Sequence, residues 1–542
     1  MGKKNSASVG AAAVLAASML LTACSGDTAH EGAAVLLGDQ PNQDVIALPG
    51  DVSDERAVAA ALEQLPGLVE RTLDDTGVPG MAVAVVHGGE TVYAEGFGVR
   101  EAGTELPVTP DTVFQIASLS KPLSATGVAA AIGQSDGALD WDTPIRTLLP
   151  GFAFSDPIVT ETATVGDAFS HRTGLFTGAG DDLEDIGYDR RTILERLRLQ
   201  PLDAFRSTYH YSNFGLTVGA EAVAESRQQS WEDLMDELVF DPIGMVSTSA
   251  RHADFLSHDD RALLHAKVDG EFLPLYDRDP DPQAPAGGVS STANDLAQWL
   301  QVLLNDGRTV GDDATVADAA ALRAAMSPQI VSGTGTELTV RPSHYGHGFN
   351  ASPLLSGRMS FSHSGAFVLG AGTAFQVVPD WDLGIVALTN GAPVGAPESL
   401  IAQFTDIVQF GSVTRDWTAD FGGFFAAQLA PVGDLVGEDP PAAASYPADA
   451  EQLLGRYRNG YFGDMLIERR GDALVARVGP EGVTELELLP WDESRLAYAP
   501  NNENAPLGSL SSATLTRDAT GIRITMQSFD SRGLGTWTRI DE

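Results

Sequence analysis

Between Glu55 and Thr76 apolar residues recur at Val58, Leu62, Leu65, Val69 and Leu73, the spacing of one face of an amphipathic helix. Two short strands are predicted next, Met81–Val86 and Thr91–Gly98, joined by the turn His87-Gly88-Gly89-Glu90. A second hairpin is predicted far downstream, Gly372–Val378 and Leu383–Thr389 around Pro379-Asp380, followed by a helix with Leu400, Phe404, Ile407 and Val408 on one side. Terminal helices and hairpins that bracket a long, mostly helical stretch imply one α/β unit over residues 55–410. Residues 411–449, with the Pro- and Ala-rich stretch Pro431–Pro447, read as a linker. Beyond it the period changes to two. Asp464–Glu468, Ala473–Val478, Thr484–Leu489, Arg495–Tyr498, Ala513–Arg517, Ile522–Gln527 and Thr536–Ile540 are short alternating runs separated by turns such as Gly471-Asp472. This pattern predicts a small antiparallel barrel or sandwich over residues 450–542.

The head of the chain follows neither period. Lys3 and Lys4 precede the apolar run Val9–Leu21, which is shorter than the roughly 20 residues that span a bilayer. Residues 1–24 therefore read as a secretory signal. Leu21-Thr22-Ala23-Cys24 resembles a bacterial lipobox, in which the cysteine becomes the lipidated first residue of the mature chain. The other reading is an ordinary signal cleavage nearby, with Cys24 incidental. Residues 25–54 are polar and predict a flexible tether. The expectation is a protein of the bacterial cell envelope, exported and held to a membrane by lipid on Cys24, on its periplasmic or extracellular face.

Composition narrows the partners. The 542 residues carry 74 acidic and 33 basic side chains, a formal charge of −41, which argues against nucleic acid or an anionic lipid surface as a partner. Hydrophobic residues at 43% and charged residues at 20% are ordinary for a globular protein and exclude disorder throughout. Cys24 is the single cysteine, so a disulfide within the chain and thiolate zinc or iron–sulfur sites are excluded. Lysine occurs only at positions 3, 4, 121 and 267, so a lysine near a nucleophile stands out.

Lys121 stands in Phe114-Gln115-Ile116-Ala117-Ser118-Leu119-Ser120-Lys121-Pro122, ahead of the small-residue helical run Thr126–Gly133. A serine three residues before a lysine near a helix start puts hydroxyl and ammonium on one face, a turn apart. Burial there would lower the lysine pKa and let it take the serine proton. Tyr211-Ser212-Asn213 offers a phenol as proton shuttle and an amide for a substrate amide. His363-Ser364-Gly365 opens the downstream hairpin region, where a glycine permits close backbone approach and the histidine supplies a polar or cationic group. His344 and His347 have a spacing that could ligate a metal, but beside Gly346 and Gly348 they read as shaping a cleft. No Gly-x-Ser-x-Gly elbow, phosphate loop or His-Glu-x-x-His helix occurs.

Taken in this order, with 93 residues from Ser118 to Tyr211 and 152 from Tyr211 to His363, the three motifs resemble the serine β-lactamase and penicillin-binding-protein family, in the layout of class C β-lactamases and their esterase and peptidase relatives. The resemblance runs roughly from Ala57 to Gln409 and includes Ser170–Leu175, Ala286–Ser291 and Tyr345–Gly348. It implies an antiparallel sheet flanked by helices, with a helical subdomain. It also implies that Ser118 is acylated, that Lys121 and Tyr211 share proton transfer, and that Asn213, His363, Ser364 and Gly365 contact the substrate. The backbone N–H groups of Ser118 and Ala366 would form the oxyanion hole. Where penicillin-recognising members usually carry Lys-Thr-Gly, this chain has His363-Ser364-Gly365, which resembles the esterase and D-aminopeptidase branch. Gly455-Arg456-Tyr457 and Tyr461-Phe462-Gly463 resemble the lipocalin-like domain that follows many such hydrolases. The expected activity is hydrolysis of a small peptide, amide or ester through an acyl-enzyme, needing no cofactor and no metal. The competing readings are a penicillin-binding-like envelope sensor and a β-lactamase.

Overall fold

The computed structural model describes residues 54–334, 341–442, 444–500, 502–519 and 521–540. The expected signal peptide, Cys24 and the tether up to residue 53 lie outside the described residues. The chain forms two compact units. Among the described residues, one takes 54–176 and Leu202–Ala427; the other takes Thr177–Pro201 together with those from Gln428 onward.

The larger unit is built on an eight-stranded sheet in the order Glu90–Gly98, Gly80–His87, Leu383–Thr389, Ala371–Val378, Met359–Phe367, Asn350–Pro353, Ser343–Tyr345, Ile330–Gly333. All its pairings are antiparallel, with Met81 opposite Thr389 and His363 opposite Phe375. The two downstream hairpin strands, Ala371–Val378 and Leu383–Thr389, are buried along their whole length, because helices cover both faces of the sheet. Asp54–Thr76 and Ala396–Phe410 pack together on one face. Ala293–Leu304 packs on the other, where Leu296 and Leu300 share a core with Val377 and Val386. The edge strand Glu90–Gly98 is mostly exposed or half-buried, as a strand with polar alternation should be.

The helix Ser120–Gly133 has no amphipathic stripe. Every residue from Ser120 to Ala131 is buried, so its small side chains serve close packing all round rather than a two-sided surface. Gly127 shows the tolerance: a Cβ there would stand 2.6 Å from the sulfur of Met235.

The stretch read as linker contains a helix, Trp417–Gln428. Trp417, Phe421 and Phe425 recur one turn apart and bury together against Ala402. The larger unit runs on through this helix to Ala427.

In the second unit eight strands close a barrel, from Gly455–Asn459 through Thr536–Arg539, and Tyr457 pairs with Arg539 to shut the ring. Seven of these strands are legible from period-two runs. Gly455–Asn459 is not, because Tyr457 is its single large apolar side chain. The interior is filled by alternate residues, among them Tyr457, Met465, Leu474, Tyr498 and Trp537, all almost fully buried. The segment Thr177–Pro201 belongs to this unit: the Tyr188 hydroxyl donates to Phe462 O at 2.9 Å, and the Tyr461 hydroxyl donates to Asp182 Oδ1 at 3.0 Å. Among the described residues no helix is long and apolar enough to cross a membrane.

Candidate active site

Ser118 lies in the single helical turn Ala117–Leu119 that leads into Ser120–Gly133. The residue before it, Ala117, has φ of 47°, a left-handed conformation that costs an alanine about 1–2 kcal/mol. Three hydrogen bonds hold the turn in place. Thr373 Oγ1 donates to Ile116 O at 2.8 Å, Ser120 Oγ donates to Ala117 O at 2.7 Å, and Val289 N donates to Ser120 Oγ at 2.9 Å. The strain therefore sits where it aims the nucleophile.

One turn along, Lys121 is fully buried. Its Nζ donates to Ser118 Oγ at 2.9 Å, to Asn213 Oδ1 at 2.8 Å and to Ala286 O at 2.9 Å, one acceptor for each hydrogen of an ammonium group. Tyr211 OH donates to Ser118 Oγ at 2.7 Å, and Lys121 Nζ stands 4.4 Å from the Tyr211 ring centroid. Tyr211 and Asn213 arrive together because Ser212 between them caps the helix Asn213–Ser226, its Oγ accepting Gly215 N at 3.0 Å. Ser118, Lys121, Tyr211 and Asn213 thus form one hydrogen-bonded cluster.

The strand Met359–Phe367 runs past this cluster. Gly365 makes the approach possible: a Cβ there would stand 2.4 Å from Ile116 O and 3.0 Å from Ser118 N. The next residue, Ala366, opposite Gly372, therefore has its backbone beside the nucleophile turn. Gly365→Ala must push the strand away, and its kcat is expected to fall by at least about a hundred-fold, the order of losing one oxyanion donor. Steady-state kinetics beside a melting curve would check this; a parental kcat in a folded variant would refute the close approach.

His363 is 1% exposed and uncharged. Burial and the nearby Lys121 ammonium push its pKa down to about 3. Its Nδ1 hydrogen-bonds Ser364 O at 2.7 Å, which places the ring proton there, and its Nε2 lies 2.9 Å from the Tyr345 hydroxyl as acceptor. The imidazole read from the sequence as polar or cationic is therefore a neutral group shared with Tyr345. Ser364 turns the other way, its side chain hydrogen-bonded to Glu398 behind the sheet.

Sequence reasoning gave no role to His171, Tyr345 or Ala286, although each falls in a family-like stretch. His171, in a left-handed conformation at φ 56°, accepts Ser212 N at 3.2 Å and packs its ring 4.6 Å from Tyr211 and 5.0 Å from Tyr345. Burial first, then Lys121 and His363, hold its pKa well below the usual histidine value. It supports the tyrosine loop as a neutral ring. His347 does not meet His344 on a metal: its Nδ1 lies 2.7 Å from Ser170 Oγ and its ring stacks on Trp141 at 4.4 Å. Among the described residues no three His, Cys, Asp or Glu side chains converge as ligands.

Known proteins show the same arrangement of chain. The family model described as Beta-lactamase matches residues 65–408. Penicillin-binding protein 4 of Amycolatopsis lactamdurans is 31% identical over 70% of this chain and 93% of its own. The unguisins hydrolase ungD' of Aspergillus campestris is 29% identical over 60% of each chain. Among solved structures, the octameric penicillin-binding protein homologue from Pyrococcus abyssi superposes with a TM-score of 0.57 at 18% identity, covering 88% of this chain and all of that one.

Proposed function

Because this chain belongs to the β-lactamase family of serine hydrolases, we propose that it hydrolyses small esters or peptide-like amides through an acyl-enzyme on Ser118. The observation that carries this reading is the Ser118 hydroxyl within hydrogen-bond reach of both Lys121 Nζ and Tyr211 OH. A nucleophile in contact with two proton carriers, in a buried setting, is what acyl transfer needs. In this scheme the Lys121–Tyr211 pair enters the step one proton short of the fully donating arrangement, and so takes the Ser118 proton as Oγ bonds to the acyl carbon and the carbonyl π pair moves onto oxygen. The N–H groups of Ser118 and Ala366 hold the oxyanion, each worth about 2.7–4 kcal/mol. The same pair protonates the departing alcohol or amine, and a water then repeats the sequence to free the acid. Asn213, whose Oδ1 accepts from Lys121, is the residue proposed to contact the acyl side chain of the substrate.

The neutral His363 supports the ester and amide reading over efficient β-lactam hydrolysis. An uncharged imidazole gives a substrate carboxylate no ion pair at that position. Attachment of the mature chain to the cell envelope through lipid on Cys24 forms part of the same proposal and places the substrate outside the cytoplasm.

A panel of a chromogenic short-chain ester, a D-amino-acid amide and a chromogenic cephalosporin tests the substrate class. Multiple turnover of ester or amide with little cephalosporin cleavage is the expected result. A stable stoichiometric adduct on Ser118 without turnover would replace the hydrolase with an envelope sensor. Fast cephalosporin cleavage would make it a β-lactamase.

A further inference from the structure

Side chains alternate across a strand, so while His363 and Gly365 face the nucleophile, Ser362 and Ser364 face the opposite side of the sheet. There a cavity of about 50 Å³ opens between the strands Asn350–Pro353, Met359–Phe367 and Ala371–Val378 and the helix Ala396–Phe410. That is room for a few water molecules or one small guest of similar bulk. Two carboxyl groups line it, Glu398 and Asp406, with Leu354, Ile401 and Trp417 as apolar wall and no lysine or arginine.

Its polar groups are unequally satisfied. Asp406 Oδ2 accepts from Thr414 N, Thr414 Oγ1 and Trp417 Nε1 at 2.9, 2.5 and 2.6 Å. Asn350, which is 5% exposed, has no hydrogen-bond partner on either Oδ1 or Nδ2 among the described residues. A buried amide left unpaired costs about 1–3 kcal/mol per group, so the site calls for a guest with both a donor and an acceptor, or for water. Glu398 is 4% exposed and its side chain is bonded to Ser364.

We infer that this cavity binds a small organic ammonium ion, its cation on Glu398, its polar function on Asn350 and its apolar part against Leu354, Ile401 and Trp417. A carboxylate without a neighbouring basic side chain selects a cation, and the apolar wall selects an organic one over a hydrated metal ion. The pocket is separate from the catalytic cluster because the sheet stands between them. The strand that carries Gly365 and Ala366 forms its floor, so occupancy would press on the oxyanion strand from behind.

Affinity should rise with pH. Burial raises the Glu398 pKa to about 7, so the carboxylate that attracts the cation forms above neutrality. The other groups at the cavity are Asp406 on the same helix and His344 from the strands, with Arg415 acting on Asp406; His363 borders it with its ring turned to Tyr345 on the other side of the strand. Of these, His363 stays neutral throughout.

The test uses the full chain with 2-hydroxyethylammonium as probe, followed by calorimetric titration beside ethylene glycol and glycolate. The ammonium is expected to bind at least about ten-fold more tightly than the neutral alcohol, with glycolate weakest. Its affinity should rise between about pH 6 and pH 8.5 and persist after Ser118 is acylated by an activated carbamate. Glu398→Gln should abolish the preference over the alcohol. Should that variant fail to fold, Asn350→Leu, which removes the unpaired amide at similar volume, should weaken the ammonium by the same route. Equal binding of alcohol and ammonium, loss of binding on acylation of Ser118, or no heat from any probe at millimolar concentration would each overturn the inference. Because acylated protein is itself an arm of the experiment, the cavity site fails or stands separately from the hydrolase reading.

Discussion

Turnover of every accepted ester or amide is expected to fall by roughly a thousand-fold or more in Ser118→Ala, with the melting temperature nearly unchanged. The asymmetry follows from the hydrogen bonds. The variant removes one oxygen, and Lys121 keeps Asn213 Oδ1 and Ala286 O as acceptors. No buried charge is left bare, so stability should hold, while the variant lacks the hydroxyl that contacts both Lys121 and Tyr211. The measurement is steady-state hydrolysis of the best ester, with intact-mass detection of the acyl adduct in parent and variant. Undiminished turnover in the variant would place the nucleophile elsewhere. Loss of turnover with loss of fold would contradict the hydrogen-bond account.

Asp167→Ala is expected to destabilise the larger unit by about 3 kcal/mol, the lower end for breaking a buried ion pair. The Asp167 side chain has no solvent exposure and is met by Arg172 and Arg206, each at 2.7 Å. It also completes a capping box with Thr164 at the start of the short helix Val165–Phe169. The two arginines retain 18% and 46% exposure, which lets them rehydrate in part and keeps the cost from the upper end. Activity should suffer too. The chain on either side of the arginines supplies the supports of the tyrosine loop: Arg206 N donates to Arg172 O at 2.8 Å, and His210 N donates to His171 O at 3.0 Å, one residue before Tyr211.

The pH dependence of this contribution has a definite sign. Burial alone would raise the Asp167 pKa, but hydrogen bonds from Arg206, Thr164 N and Arg172 outweigh it and hold the carboxyl below its ordinary value. A carboxylate depressed in the folded state lends stability above its unfolded pKa and loses it as pH falls through the folded one. The gap between parent and Asp167→Ala should therefore be full at pH 7 and close in strong acid. Urea unfolding of both proteins at neutral and acid pH checks it. An unchanged gap would show that the arginines are stabilised by something other than this charge.

How much was legible depends on how local the signal is. The helix Asp54–Thr76, the two hairpins and most barrel strands follow from hydrophobic period, because each buries one face against a neighbour and repeats that need along its own sequence. The helix Trp417–Gln428 escaped because proline-rich sequence downstream outweighed three aromatics spaced one turn apart. Thr177–Pro201 escaped for a different reason. Its place beside the barrel rests on bonds such as Tyr188 to Phe462 O and Arg196 to Tyr461 O, between residues more than 260 positions apart. No local pattern encodes such a partner.

The same division runs through the candidate site. The sequence by itself determined the family and the α/β unit followed by an all-β domain, and it singled out Ser118, Lys121, Tyr211 and Asn213 as candidates, since reactive groups must be specific residue types at workable spacings. Only the tertiary structure decided their states. His363 is neutral because burial and Lys121 act on it together, and Ser364 faces Glu398 because a strand sends neighbouring side chains to opposite sides of the sheet. The cavity around Asn350 and Glu398 has no sequence signature, because it is made by what three strands and a helix fail to fill between them. Residue type is written in the chain; solvation, charge state and empty space are properties of the neighbours that folding brings.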